Sequence, residues 1–306
     1  MFDLIIIGAG PAGLSAAVYA ARRKLNFIII SKNVGGQAAL SWEVENYLGF
    51  HLVSGADLVQ KFQEHIRDYK IQLKEESVDK ISKSGHYFVL KTSNQEYLTK
   101  TIIIATGKQP KHLNIPGEKE FVGKGVSYCS TCDAPLFRTK DVVVLGGGNS
   151  AMYAILHLAE IANLVYSINI NADFEGDAII QSKINELAVK GKVIVMNKTL
   201  TKEIIGGKLV ESIKVKSDSE EKIIPVEGVF VEIGSTPTSD FIQDIKKNHK
   251  GEIMTHKEND MDNVTSVPGV FAAGDVTDVP DKQIIIAAGE GAKAVLSVIR
   301  YLNKRK

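Results

Sequence analysis

The sequence predicts an α/β protein built from two Rossmann-like nucleotide-binding domains of the three-layer ββα type, the second inserted in the first. Three observations predict it. An apolar run closed by a glycine turn and followed by an Ala-rich helical stretch occurs near the N-terminus and again in mid-chain. Each turn carries the spacing of a dinucleotide fingerprint. Proline–glycine punctuation flanks the second copy on both sides.

Leu4-Ile5-Ile6-Ile7 reads as a strand buried on both faces, Leu14–Lys24 as a helix ending in Arg22-Arg23-Lys24, and Phe27-Ile28-Ile29-Ile30 as the next parallel strand. The pattern repeats with Val142–Leu145, the turn Gly146-Gly147-Gly148, a helix over Ser150–Ile161 and a strand over Leu164–Ile168. Further strands are expected at Thr101–Ile104, Lys192–Met196, Gly228–Ile233 and Gly269–Ala272. The runs Leu113–Gly117 and Gly234–Thr238 mark hinges, which divide the chain into 1–114 plus 241–306 and an inserted 115–240.

Composition narrows the class. The 306 residues suit about two domains, and 44% hydrophobic with 24% charged residues excludes disorder. A net charge of +1 argues against nucleic-acid binding, and two cysteines fit a reducing compartment. Leu4–Ala21 is uncharged but interrupted by Gly8, Gly10, Pro11 and Gly13, with only Asp3 before it, so it predicts neither a membrane span nor a leader. The expectation is a cytoplasmic protein.

Gly8-Ala9-Gly10-Pro11-Ala12-Gly13 is a complete GxGxxG between strand and helix. Its first glycine serves a tight turn, its second the approach of a diphosphate, and its third close helix packing; the helix N-terminus then favours the anion. The acidic ribose ligand expected at the end of the second strand is absent, and Ser31 is the residue that could donate a hydrogen bond there. Ala105-Thr106-Gly107 and Gly274-Asp275 follow apolar strands, where small residues admit a cofactor and Asp275 could hold a hydroxyl. Lys282-Gln283-Ile284 opens a helix whose positive end could face a flavin.

The second turn, Gly146–Ala151, reads GxGxxA, yet the strand after it ends in Asn169-Ile170-Asn171 and no arginine lies between 139 and 299. A 2′-phosphate would need arginine there, and an NADH ribose would find only Asp173 or Glu175, several residues late. An empty or altered nucleotide site therefore competes with a second dinucleotide site. Cys129-Ser130-Thr131-Cys132-Asp133 holds both cysteines. The spacing suits a redox disulfide; a zinc site would need two more ligands and has no second CxxC or HxxxH, so no metal is expected. Asp133 could protonate a leaving thiolate or serve as an ordinary helix cap or turn residue.

In this order, GAGPAG at 8–13, GGQ at 35–37, EVEN at 43–46, ATG at 105–107, CSTCD at 129–133, GGGNSA at 146–151 and GVFAAGD at 269–275 resemble the low-molecular-weight flavoprotein thioredoxin reductases. The resemblance spans essentially the whole chain. It implies an FAD domain over 1–114 and 241–306, with Gly8, Gly10, Pro11, Ala12, Gly13, Ser31, Gly36, Gln37, Asn46, Ala105, Thr106, Gly107, Gly274, Asp275, Lys282, Gln283 and Ile284 about the cofactor. It also implies a pyridine-nucleotide-type domain over 115–240 that carries the dithiol, a homodimer, and thioredoxin as partner. By the same resemblance Cys132 faces the flavin, Cys129 attacks the thioredoxin disulfide and Asp133 donates the proton.

NADPH-using members carry a His-Arg-Arg run and a further arginine where this chain has Asn169-Ile170-Asn171 and Glu175. The sequence is more similar to the ferredoxin-dependent flavin thioredoxin reductases, which lack those arginines. The segment 115–240 holds 13 basic and 17 acidic residues, leaving 24 and 19 in the flanks. A basic flavin domain would suit an acidic one-electron donor, with Lys246, Lys247, Lys250 and Lys282 as candidate docking charges. Competing expectations are an NAD(P)H-dependent reductase with an atypical site, a flavin dithiol oxidase, and a flavin-binding redox sensor without turnover.

Overall fold

A computed structural model describes residues 1–41, 44–218 and 220–305. The chain forms two compact units, Met1–Leu40 with Asn46–Gln109 and Thr236–Lys306, and Ser41–Glu45 with Pro110–Ser235. The main crossings fall at 109/110 and 235/236, ahead of the hinges expected at 114/115 and 240/241. Lys108–Pro110 and Ser235–Pro237 pair as a two-stranded ribbon, so the crossings lie within hydrogen-bonded backbone and the Pro/Gly runs only adjoin it.

In the first unit, β1 (Phe2–Ala9) pairs in parallel with β2 (Phe27–Val34) on one side and with Glu96–Ile104 on the other. Leu73–Glu75 and Val270–Ala272 extend this sheet, also in parallel. Side chains alternate between its faces. Leu4, Ile6, Ile29 and Ile103 pack with helix residues such as Ala16, Ala20, Val295 and Val298. Ile5, Ile7, Ile28, Ile30, Ile102 and Ile104 share a second cluster with Phe88 and Leu90 of an antiparallel meander. Burial on both faces is the reason these strands read as unbroken apolar runs.

Glu96–Ile104 begins five residues before the expected Thr101. Its N-terminal half pairs with the meander strand Tyr87–Thr92 and alternates buried with exposed residues, a weaker signal than the apolar Ile102–Ile104. Helix α1 (Pro11–Arg22) starts at proline, whose missing N–H costs nothing at a first turn. The final helix, Ile284–Asn303, begins at the expected Ile284.

The second unit repeats the plan. Val193–Met196, Leu164–Ile168, Asp141–Leu145, Gly228–Val231 and Val126–Ser127 form a parallel sheet in that order. Val142 and Val144 face the helix Asn149–Ile161, while Val143 and Leu145 face the antiparallel strands Leu200–Gly206, Val210–Lys216 and Glu221–Pro225. The architecture is thus the two-domain, doubly Rossmann-like α/β fold that the sequence predicts. No helix among the described residues is long and apolar enough to cross a membrane.

Candidate active site

The first glycine turn is shaped by backbone contacts. Gly8 has φ +105°, and a Cβ there would collide with the carbonyl of Ala105. A Cβ on Gly13 would collide with the carbonyl of Gly8. By contrast, nothing lies within 4 Å of the Cβ position of Gly10, which is the N-cap of α1 and provides no side-chain cap. The turn therefore leaves open space and unsatisfied helix N–H groups together, which is the cradle a diphosphate requires.

Several of the other expected cofactor residues of this unit contact the turn or one another. The Cβ position of Gly36 lies 3.3 Å from the Cα of Gly10, and Gln37 donates its side-chain amide to the carbonyl of Lys108. Asn46 donates to Gln283 Oε1 at 3.1 Å, tying a long loop to the start of the final helix. Of the motif at 43–46, Glu43 lies outside the described residues. Gly274, at φ +75°, packs against Ala12 and Ala287, so the turn after the Val270–Ala272 strand abuts α1. Thr106 turns elsewhere: its hydroxyl donates to the carbonyl of Thr238 at 2.5 Å, closing the ribbon at the crossing.

Ser31 departs from its expected role. Its Oγ accepts from the Ala9 amide at 3.0 Å and donates to the carbonyl of Asn33 at 2.7 Å. A hydroxyl has one proton, so Ser31 fastens β2 to the glycine turn instead of offering a donor to a ribose. The Asp275 carboxyl is largely buried. Desolvation raises its pKa, opposed by Lys108 and then Lys282, while Glu252 raises it further. Lys108 and Glu252 are absent from the sequence-derived set; neither stands in a motif, and only folding brings them to Asp275.

In the second unit Cys129 and Cys132 form a disulfide with their Cα atoms 5.3 Å apart. Cys129 is the N-cap of the single turn Ser130–Asp133, and its Sγ accepts from the Cys132 amide at 3.2 Å. That N–H would equally favour a thiolate at Cys129. Asp133 is buried, and Ser127 donates its hydroxyl to Asp133 Oδ2 at 2.6 Å. Asp133 stands at the N-cap position of the turn Ala134–Phe137 without a side-chain cap hydrogen bond to it. Ser127 also accepts from the Cys129 amide at 3.0 Å, linking the carboxylate to the redox loop through one hydroxyl.

Just ahead of that loop, fully buried Glu118 accepts from the amides of Leu113 and Asn114 and from the Tyr128 hydroxyl. Burial, with Glu118 beside it, holds the Tyr128 phenol well above its ordinary pKa. Among the described residues no cluster of three or more His, Cys, Asp or Glu side chains could hold a metal ion.

The second glycine turn repeats the backbone plan with different neighbours. Gly148 caps the helix Asn149–Ile161 with open space about its Cβ position. Asn169, buried at the end of Leu164–Ile168, stands 2.5 Å from the Cβ position of Gly147. It donates to the carbonyl of Asp173 and accepts from the Asn171 amide, so its polar atoms serve its own loop. Ile170 follows with 69% exposure. Glu175 returns to the turn, its amide donating to the Gly147 carbonyl at 2.8 Å.

Residues 2–291 match the pyridine nucleotide-disulphide oxidoreductase family. An NADH dehydrogenase of Bacillus subtilis (strain 168) is 38% identical over 98% of this chain and 58% of its own length. The chain thus spans less than two thirds of that curated relative. The thioredoxin reductase of Streptococcus pyogenes MGAS5005 is 34% identical, with TM-score 0.91 over 99% of both chains. A ferredoxin-flavin thioredoxin reductase from Clostridium acetobutylicum is 32% identical over 99% of this chain and 98% of its own, with TM-score 0.53. With residues 2–291 matched to its family model, this protein belongs to the pyridine nucleotide-disulphide oxidoreductases, which are FAD-binding flavoproteins.

Proposed function

We propose that this flavoprotein reduces thioredoxin disulfide through Cys129 and Cys132, and that reduced ferredoxin, not a nicotinamide nucleotide, supplies the electrons. The observation that carries the donor assignment is the end of the Leu164–Ile168 strand. Asn169, exposed Ile170 and Asn171 offer no cation for a 2′-phosphate, and the backbone pairing of Glu175 at Gly147 brings a carboxylate-bearing residue toward the position a diphosphate would take.

FAD supplies the capacity to collect single electrons and deliver them in pairs. Two ferredoxins give up one electron each, and two electrons with two protons convert the Cys129–Cys132 disulfide to two thiols. Cys129, as a thiolate favoured by the Cys132 N–H, attacks the thioredoxin disulfide and forms a mixed disulfide. Asp133, held by Ser127, gives a proton to the departing thioredoxin thiolate. Cys132 then displaces the second thioredoxin thiol and restores the intramolecular disulfide. Binding of FAD falls to Gly10, the α1 N-terminus, Asp275 and the residues about Gln283.

Basic charge also bears on the donor. Arg22, Arg23, Arg67, Arg300 and Arg305 all lie in or just after the last turns of three helices, at the end of the parallel strands away from the glycine turn. Exposed Lys246 and Lys250 instead adjoin the segment 274–278, through Ile253, which pairs with Thr277. Of the other expected docking charges, Lys247 donates to the Ser239 carbonyl and Lys282 pairs with Glu252. Of these four lysines, Lys246 and Lys250 are thus the exposed ones beside the cofactor end.

A second reading, NADH-dependent reduction, is favoured by the intact GxGxxA turn and by the name of the Bacillus subtilis relative. Anaerobic titration of the yellow protein with NADPH, NADH and reduced ferredoxin separates the two. The proposal expects the flavin band to persist with both nucleotides and to bleach with ferredoxin. Bleaching by either nucleotide at a turnover-competent rate would overturn the donor assignment and leave the dithiol chemistry standing. The same proposal includes a homodimer, tested by light scattering.

A further inference from the structure

The cradle contains an ion pair that neither the dithiol chemistry nor the cofactor motifs call for. Lys282 immediately precedes Gln283, the N-cap of the final helix, and its ammonium lies 3.3 Å from Glu252 Oε1. The two side chains are only 15% and 16% exposed. The ammonium also donates to the carbonyls of Thr277 and Asp275. An ammonium has three N–H donors, so three acceptors within the chain account for all of them. Lys282 therefore acts on its surroundings through its charge more than through a further hydrogen bond.

Glu252 is itself held in place. Its Oε2 accepts from Asn248 Nδ2 at 2.7 Å, and its amide donates to Asn248 Oδ1 at 3.1 Å. The next residue, Ile253, is fully buried and donates to the carbonyl of Val276 at 2.9 Å, beside Asp275. Lys108, whose carbonyl receives Gln37, is the second cation facing the Asp275 carboxyl. Four charges thus surround one end of the cradle, Lys108 and Lys282 against Asp275 and Glu252. Of these, only Glu252 lies outside every cofactor-binding segment: Lys108 follows the ATG turn, and Asp275 and Lys282 flank the start of the final helix.

We propose that Glu252 is a positioning residue that sets the reduction potential of the bound flavin by pinning and neutralising the Lys282 ammonium. Reduction adds negative charge to a flavin, so a nearby uncompensated cation favours the reduced form and a compensated one does not. A low potential is what transfer onward to a protein disulfide requires. The inference rests on FAD occupying the cradle and is independent of whether ferredoxin or a nucleotide is the donor.

The test is the flavin midpoint potential of the FAD-loaded protein, read anaerobically against reference dyes with no physiological donor or thioredoxin present. Glu252→Gln is expected to retain FAD and shift the potential upward, so that at a fixed dye potential the reduced-to-oxidised ratio rises severalfold. Lys282→Met shifts it downward. The double variant returns toward the original value, because both charges of the pair are then gone, and Glu252→Asp restores most of the effect. Asn248→Ala keeps every charge but frees Glu252, and is expected to move the potential as Glu252→Gln does, by less. A Glu252→Gln protein with full flavin and an unshifted potential overturns the proposal. If that variant loses flavin, an unshifted Asn248→Ala protein overturns it instead. Failure of the unsubstituted protein to bind FAD would be a failure of the cofactor assignment, visible before any variant is made.

Discussion

The two glycine turns of this chain have nearly the same backbone and differ in what closes over them. At 8–13 the first glycine packs on Ala105, the second is open, and the third packs on Gly8. At 146–151 the first packs on the Glu232 carbonyl, the third is again open, and Asn169 fills the space beside the middle one. In the unit of the first turn, Gln37 donates to Lys108, Asn46 donates to Gln283, and Asp275 is largely buried near Lys108, Lys282 and Glu252. Beyond the second stand Asn169 turned into its own loop, exposed Ile170 and the returning Glu175. The same backbone turn thus stands among different side chains in the two units.

The sharpest way to break the comparison is at the glycines themselves. Gly8→Ala places a side chain against the Ala105 carbonyl at φ +105°, so it should prevent recovery of folded flavoprotein, read as soluble yield and flavin absorbance. Gly10→Ala meets no atom within 4 Å and should fold, but it obstructs the diphosphate. Loss of one hydrogen bond to a charged group is worth about 1.5–3 kcal/mol, so FAD should bind roughly ten- to a hundredfold more weakly, measured by fluorescence on reconstitution. The matching Gly148→Ala should leave ferredoxin-driven turnover unchanged. Weaker flavin bleaching by NADH or NADPH in that variant than in the unsubstituted protein would restore the second turn as a working nucleotide site.

Within the second unit the dithiol is the part expected to work. Cys132→Ser should abolish thioredoxin reduction while the flavin stays bound, followed by insulin-coupled turbidity. Asp133→Asn should slow the exchange by about a hundredfold, the lower end of what a general acid contributes, and leave FAD content unchanged. Equal rates for Asp133→Asn and the unsubstituted protein would assign that carboxylate to packing alone.

A smaller effect tests the charge of the first cradle. Burial raises the Asp275 pKa in the folded chain, so the folded state holds its proton more tightly than the unfolded one. Stability of the FAD-free protein should therefore fall as pH rises through the carboxylate range from the unfolded value near 4. Asp275→Asn should flatten that dependence and modestly raise the melting temperature of the FAD-free protein at neutral pH, while weakening FAD. Smallest of all, reversing Lys246 and Lys250 together should slow ferredoxin-driven reduction at low salt and have little effect at high salt, where exposed charges are screened.

Much of this was legible in the residues. Ile5-Ile6-Ile7 and Val142-Val143-Val144 read as buried parallel strands because an apolar run covered on both faces has no polar alternation to hide it. The glycine spacings were legible because only glycine permits those close approaches. The meander strands were not, since Val78–Ser84 and Glu96–Lys100 are half polar and show their partners only once paired. The contacts of Ser31 are of the same kind: the sequence presents its hydroxyl, whereas the fold brings Ala9 and Asn33 to it.

By itself the sequence determined the doubled α/β plan, the open turn for FAD, the redox pair and the missing arginines, all of which are local patterns of residue type and spacing. Tertiary structure alone decided that Ser127 holds Asp133, that Glu118 grips Leu113, Asn114 and Tyr128, and that Glu252 meets Lys282. Each of these contacts depends on a residue outside the motifs (Ser127, Glu118 or Glu252), and its strength comes from burial, which removes the water that would otherwise satisfy the same groups.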